Sequence, residues 1–215
     1  MMENNKNLSE EQIIYREYRK DSKKFNHKIL KYLEESEKPT YDFKLLDILK
    51  NNNVYMHSKG EKDRVYDFII YEKTFNGKSG LDIYLKNNAV LDIREMQLAG
   101  AMKKAKTAMY KVLELDGEKS TVKLQHIDTD EIVEIIDFGS SKTLNENYLI
   151  FTRILRFQEV NFTSGLLMIF HINHKQFLEN ILKKEIKKSN LDSEVQEFIS
   201  YFHLSRKHGI NVLYV

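Results

Sequence analysis

Three short stretches carry the residue types that metals and phosphates select. Asp137-Phe138-Gly139 spells the magnesium-binding tripeptide of protein kinases. A kinase also needs a Gly-rich loop, a strand lysine and a catalytic-loop aspartate. None of these stands at the right spacing, so the glycine reads as the end of a strand. Asp128, Asp130 and Glu131 gather carboxylates that could attract a hard cation. A calcium loop of the EF-hand type needs Gly at its sixth position and Glu at its twelfth. Both are missing, and the segment reads as a solvated turn. His171 and His174 would share a face if helical, and His203 and His208 lie on or near the last helix. Without a third ligand at a matching spacing, two imidazoles make no metal site. The chain has no cysteine, which excludes disulfides, Cys-ligated zinc and a thiol nucleophile. No Gly-x-Ser-x-Gly elbow and no phosphate-cradling glycine loop occurs among the 8 glycines. No catalytic residue, metal or cofactor is therefore assigned.

Binding chemistry has more candidates. Phe151, Arg153 and Phe157 share one face of a strand, a pattern that fits either base stacking or a core face with Arg153 at its rim. Alternation favours the core. The loop Asn161-Phe162-Thr163-Ser164-Gly165 sets an aromatic ring among small polar residues. Exposed, Phe162 would anchor a partner flanked by Asn161 and Thr163; buried, it would close the end of a barrel. Lys183, Lys184, Lys187 and Lys188 crowd one helix, and Lys103, Lys104 and Lys106 another. Such faces could meet an acidic partner or nucleic acid, although charge runs of this kind are usually solvated. The stretch Met109 to Phe170 carries six basic and ten acidic residues, net −4, which repels phosphate.

These residues need elements to position them. The chain has 215 residues, 41% hydrophobic and 31% charged, enough for a core in one domain or two small ones. Its net charge of +2 argues against a strongly basic or acidic protein. The 27 lysines, 7 arginines and 17 asparagines fit the codon bias of an A- and T-rich genome, which weakens any polyanion argument drawn from lysine alone. No apolar run approaches the roughly 20 residues of a membrane span. The polar Met1 to Asn7 shows no secretory signal, and a cytoplasmic protein is expected.

Ser9 and Gln12 have capping-box spacing, with Leu8 and Ile13 as a staple. Ile14, Tyr18, Phe25, Ile29, Tyr32 and Leu33 then recur at helical spacing up to Pro39. A short helix carries Phe43 to Leu49 and fades into a loop at Asn51 to Asn53. Val65, Phe68, Ile69 and Ile70 form an apolar cluster that ends at the Asn76-Gly77 turn. Gly80 to Leu85 reads as a helix. Another, capped by Asp92 with Glu95, is expected to run through Ala105 and Ala108, its small residues packed against a neighbour. Alternation then predicts strands at Tyr110–Leu115, Thr121–Ile127, Ile132–Ile136, Tyr148–Phe157 and Leu166–Phe170. Helices return around Phe177 to Ile186 and Val195 to Leu204, and Ile210 to Val215 could add an edge strand.

From Asp67-Phe68-Ile69-Ile70-Tyr71, through Tyr110-Lys111-Val112-Leu113-Glu114-Leu115-Asp116 and Thr129-Asp130-Glu131, to Phe151-Thr152-Arg153-Ile154, the order of elements resembles a known arrangement. It is similar to the region that precedes the zinc-binding SEC-C motif in poorly characterised bacterial proteins. The resemblance covers residues 67–170 and implies a fold but no activity. The motif's cysteines are absent, so its zinc is not carried over.

The expected fold is α+β: a helical N-terminal region over 1–108, a small, partly closed antiparallel barrel of five strands over 109–170, and C-terminal helices over 171–215. The expected function is a non-catalytic cytoplasmic module for protein–protein contact. The alternatives are a nucleic-acid-binding protein that uses the lysine-rich helix faces and, more weakly, an enzyme of unrecognised type.

Overall fold

A computed structural model describes residues 8–36, 40–58, 60–88 and 90–210. Helix α1 (Glu10–Ser36) starts at the expected capping box: the Ser9 N–H donates to Gln12 Oε1 at 3.0 Å and the Gln12 N–H to Ser9 Oγ at 3.2 Å. Two orphan backbone donors are thereby satisfied. Tyr15, Tyr18, Phe25, Ile29 and Leu33 form its buried stripe. Ile13 is exposed and holds no staple in the core. Pro39 lies outside the described residues.

Helix α2 (Thr40–Leu45) is shorter than the apolar run suggested. Leu49–Lys50 (β1) and Asn53–Val54 (β2) form a small hairpin, with Asn51 and Asn52 both at positive φ as its turn requires. The apolar cluster around Phe68 is helix α3 (Gly60–Tyr71). Its periodicity is hidden because Val65, Phe68, Ile69, Ile70 and Tyr71 are all buried, so the helix is apolar on more than one face. Helix α4 (Gly80–Asn87) is capped by Ser79 and Asp82, and α5 (Ile93–Lys104) by Asp92 and Glu95. Helix α5 stops short of its expected end. Ala105 is extended, and Ala108 pairs with Thr152 in the sheet.

The strands are β3 (Thr107–Asp116), β4 (Thr121–His126), β5 (Ile132–Ile136), β6 (Tyr148–Arg156), β7 (Asn161–Thr163) and β8 (Met168–His171). Five of them run in the antiparallel order β5-β4-β3-β6-β7, and β8 pairs with β6 beside β7. The sheet curls into a half-barrel, and Asn161 Nδ2 at one end donates to the Glu134 carbonyl on β5 at 3.1 Å. A four-residue helix, α6 (Ser140–Thr143), follows β5. Asp137 Oδ1 accepts the N–H groups of Gly139 and Ser140 at 3.0 and 2.7 Å, so the kinase-like tripeptide is a turn leading into α6. After a 3-10 turn (Ile172–His174) come α7 (Lys175–Lys188) and α8 (Ser193–His208). The Ile210 N–H donates to the Ile169 carbonyl at 2.8 Å; the remainder of the expected edge strand lies outside the described residues.

Strand alternation divides the core in two. Tyr110, Val112, Val122, Leu124, Ile135, Ile150 and Ile154 fill the inside of the curl. Leu149, Phe151, Leu155, Met168 and Phe170 face the other way and meet α1, α3, α4, α5 and α8. Helices from both ends of the chain thus share one core on the outer face of the sheet.

Two positions in this packing allow sharp tests. At Gly80 an added Cβ would lie 2.4 Å from the Ile69 carbonyl oxygen and 2.6 Å from Leu33 Cδ1. Gly80→Ala is expected to lower stability by at least about 2 kcal/mol in urea unfolding. Asp42 is fully buried and its carboxylate makes no hydrogen bond among the described residues. Burial pushes its pKa from the ordinary 3.8 up to about 7, with only the Thr74 hydroxyl acting the other way. A raised carboxylate favours the fold at low pH, and that contribution is lost as the pH climbs to about 7. Asp42→Asn removes this slope. Its stability relative to the parent protein should rise by about 2–4 kcal/mol between pH 4 and 7 and then level off. Parallel curves of stability against pH would contradict this account.

Candidate functional site

Arg153 is not at a rim. It is buried, because its side chain leaves β6 on the face shared with Phe151 and Leu155, where α3 crosses the sheet. The guanidinium Nε donates to Asp67 Oδ1 at 3.1 Å, Nη2 to Glu72 Oε1 at 2.5 Å, and Nη1 to the Ala105 carbonyl at 3.0 Å. The Tyr71 ring lies under it, 4.3 Å from the guanidinium carbon. The second oxygen of Asp67 accepts from the Ser164 hydroxyl, and the Ser164 N–H donates to the Arg153 carbonyl at 2.9 Å. Burial pushes Glu72 up to about 7 against the pull of Arg153, with the Asp67 charge adding to the rise. Every polar arm of Arg153 is engaged inside the protein, so it does not bind an outside partner.

Phe162 takes the buried course. Asn161–Thr163 is strand β7, paired with Ile154–Arg156 of β6, and the Phe162 side chain is 0% exposed. Its ring stacks on Phe157, with centroids 5.3 Å apart and planes 8° apart, and meets Tyr15 edge-on at 5.7 Å. Helix α1 covers it, which removes it as an interface anchor. Asn161 is held by Glu134, and Thr163 is buried with its carbonyl accepting from Arg19 Nη1 at 2.8 Å. The sequence suggests a loop here because three residues are too few to show alternation.

Lys183, Lys184, Lys187 and Lys188 are exposed along α7, where only Leu178 is buried, and they make no ion pair with a described residue. Lys183 borders a cavity of about 220 Å³ together with Asp128, Glu179 and Glu197. Burial, aided by Asp128, pushes Glu197 up to about 7. His171 caps the 3-10 turn through Nδ1, and the His174 ring packs against Phe177 and His208. Among the described residues no group of His, Cys, Asp and Glu is set to hold a metal.

The most exposed apolar surface lies where none was expected, at the start of α5. Val90 is 94% exposed, Ile93 75% and Met96 54%. Ile93 and Met96 border an open groove of about 730 Å³ between α1 and α5, floored by the buried Phe25 and Leu98. Its charged rim is already neutralised internally. Lys28 pairs with Glu95, and Arg94 pairs with Asp21 at 3.5 Å and Glu17 at 3.7 Å while lying over Tyr18. The sequence carries a signal for it: Ile93 and Met96 stand three residues apart and so share a face of α5.

The structure is that of an α+β protein whose half-barrel is packed against helices from both ends of the chain, with a buried ionic centre and an uncovered apolar groove. Residues 9–215 match the model of the Family of unknown function (DUF7986), and the chain belongs to that family. No curated protein and no solved structure matches it.

Removing one partner from a buried ion network leaves the others uncompensated. Arg153→Met should therefore cost about 3–5 kcal/mol of unfolding free energy at pH 8. The loss should shrink near pH 5, below the value of about 7 to which burial pushes Glu72. Urea titrations at the two pH values check both statements, and equal losses would overturn the second.

Proposed function

We propose that the protein is a non-catalytic cytoplasmic module that works by protein–protein contact and receives its partner on the groove between α1 and α5. The observation that carries this reading is the exposure of Ile93 and Met96 together on a groove with an apolar floor. Large apolar side chains gathered on one surface mark interaction sites far more often than isolated ones do. A rim whose charges are paired at home lets an apolar partner surface approach without leaving an ion unpaired. The likeness of residues 67–170 to the region preceding SEC-C motifs is kept within this reading at the level of fold.

The alternative, a nucleic-acid-binding protein, rests on the exposed lysines of α7. Anisotropy with labelled oligonucleotides across a salt series separates the two. Phosphate binding through α7 would show log affinity falling linearly with log salt and would weaken in Lys183→Gln/Lys187→Gln.

For the leading reading, proteins retained by the immobilised parent chain are compared with those retained by Ile93→Asp/Met96→Asp. Both positions are exposed, so the variant should keep its stability to within about 0.5 kcal/mol. A retained partner should bind the variant at least about tenfold more weakly. Equal retention by the two chains would remove the groove from the proposal.

A further inference from the structure

A second cleft, of about 530 Å³, opens on the other side of α1, between that helix, α3 and the β7–β8 connection. Its volume is in the range that encloses small ligands. Arg19, Lys23 and His27 line it from α1. A spacing of four residues stacks side chains on one helical face, so the cleft receives a single basic stripe. None of the three lies within 4.0 Å of a carboxylate among the described residues. The nearby acids are largely committed elsewhere. Asp67 is held by Arg153 and Ser164, and Asp137 by the N–H groups of Gly139 and Ser140. Asp63, on the α3 wall, is the remaining carboxylate of the cleft.

Arg19 is fixed in position without being neutralised. Nη1 donates to the Thr163 carbonyl at 2.8 Å. Nη2 lies 3.6 Å from where a Cβ on Gly165 would sit, and Gly165 has φ +115°, a conformation that side chains rarely adopt. The chain therefore passes the guanidinium with no side chain between them. Two more polar atoms of lining residues, Tyr71 Oη and Asn26 Oδ1, have no hydrogen-bond partner among the described residues. Burial holds the Tyr71 phenol protonated and able to donate.

We propose that this cleft binds a small organic anion, with its carboxylate or phosphate on Arg19 and Lys23 and a hydroxyl- or amino-bearing remainder facing Asp63. A fork of guanidinium donors and an ammonium group together suit either anion. The site is separate from the α1–α5 groove and stands or falls independently of it.

Two probes test the proposal by amide NMR titration of the full chain: phosphoethanolamine for the phosphate form and 4-aminobutyrate for the carboxylate form. Saturable shifts at residues 19–27 and 163–165 with either probe support the site, and the probe that saturates identifies the anionic group. Lys23→Gln should weaken binding about tenfold, the effect of losing one charge-assisted contact. Lys23 is exposed, so this variant folds whether or not Arg19→Gln does. Lys183→Gln should bind as the parent does. Failure of both probes to saturate by about 10 mM would overturn the proposal. So would binding that survives Lys23→Gln, or binding that Lys183→Gln abolishes, because the anion would then sit on a diffuse basic surface.

Discussion

A guanidinium cannot remain uncompensated in a protein interior, and Arg153 is buried on β6, the strand that pairs with β3, β7 and β8. Compensation has to come from outside the sheet. Helix α3 supplies Asp67, and the residue just past its end supplies Glu72, from positions 86 and 81 residues away, with the Tyr71 ring under the guanidinium. The chain leaving α5 adds the Ala105 carbonyl. Ser164 bonds both to Asp67 and to the Arg153 backbone, which ties the β7–β8 connection to the same centre. One charge thereby ties α3, the chain just past the end of α5 and the loop that borders the cleft to β6.

Local signals in the sequence survive into the structure, and signals that depend on distant partners do not. The capping boxes at Ser9/Gln12 and Asp92/Glu95 form as read, because each is complete within four residues. Strand β5 has its expected limits, and Ile132 to Ile135 alternate between solvent and core. Helix α3 escaped notice since a helix buried on several faces has no polar side to set its period. Helix α5 ends at Lys104, earlier than its composition suggests. Lys103 to Ala108 favour a helix, but Thr107 and Ala108 pair with Arg153 and Thr152, and tertiary pairing overrides propensity.

The candidate site was harder to read than the fold. Strand parity put Arg153 on the face of Phe151, which is its true side, yet nothing near it announced Asp67 or Glu72 as its counter-ions. Phe162 offered two opposite readings, and the choice depended on where α1, some 140 residues earlier, would lie. The apolar groove is a different case. Its residues were visible as apolar positions, but Ile93 and Met96 lie on a helix that already had a buried face. A second apolar face reads as core until the neighbours are known.

The same accounting of charges bears on what the half-barrel can bind. Of its six basic residues, Arg153 is consumed inside. Lys119 pairs with Asp116 at 3.5 Å, Lys123 with Glu114 at 2.6 Å and Arg156 with Glu131 at 2.5 Å. Only Lys111 and Lys142 are left outside these ion pairs, against a net negative strand region. Phosphate contacts supply most non-specific nucleic-acid affinity, and this surface has few to offer. Helix α1 shows the contrary design. Its long span presents Arg19, Lys23 and His27 to one cleft and Phe25, among paired charges, to an apolar groove on another side. A basic stripe without a carboxylate partner and an apolar groove without cover therefore border the same helix, while the sheet behind it serves as the support that holds both in place.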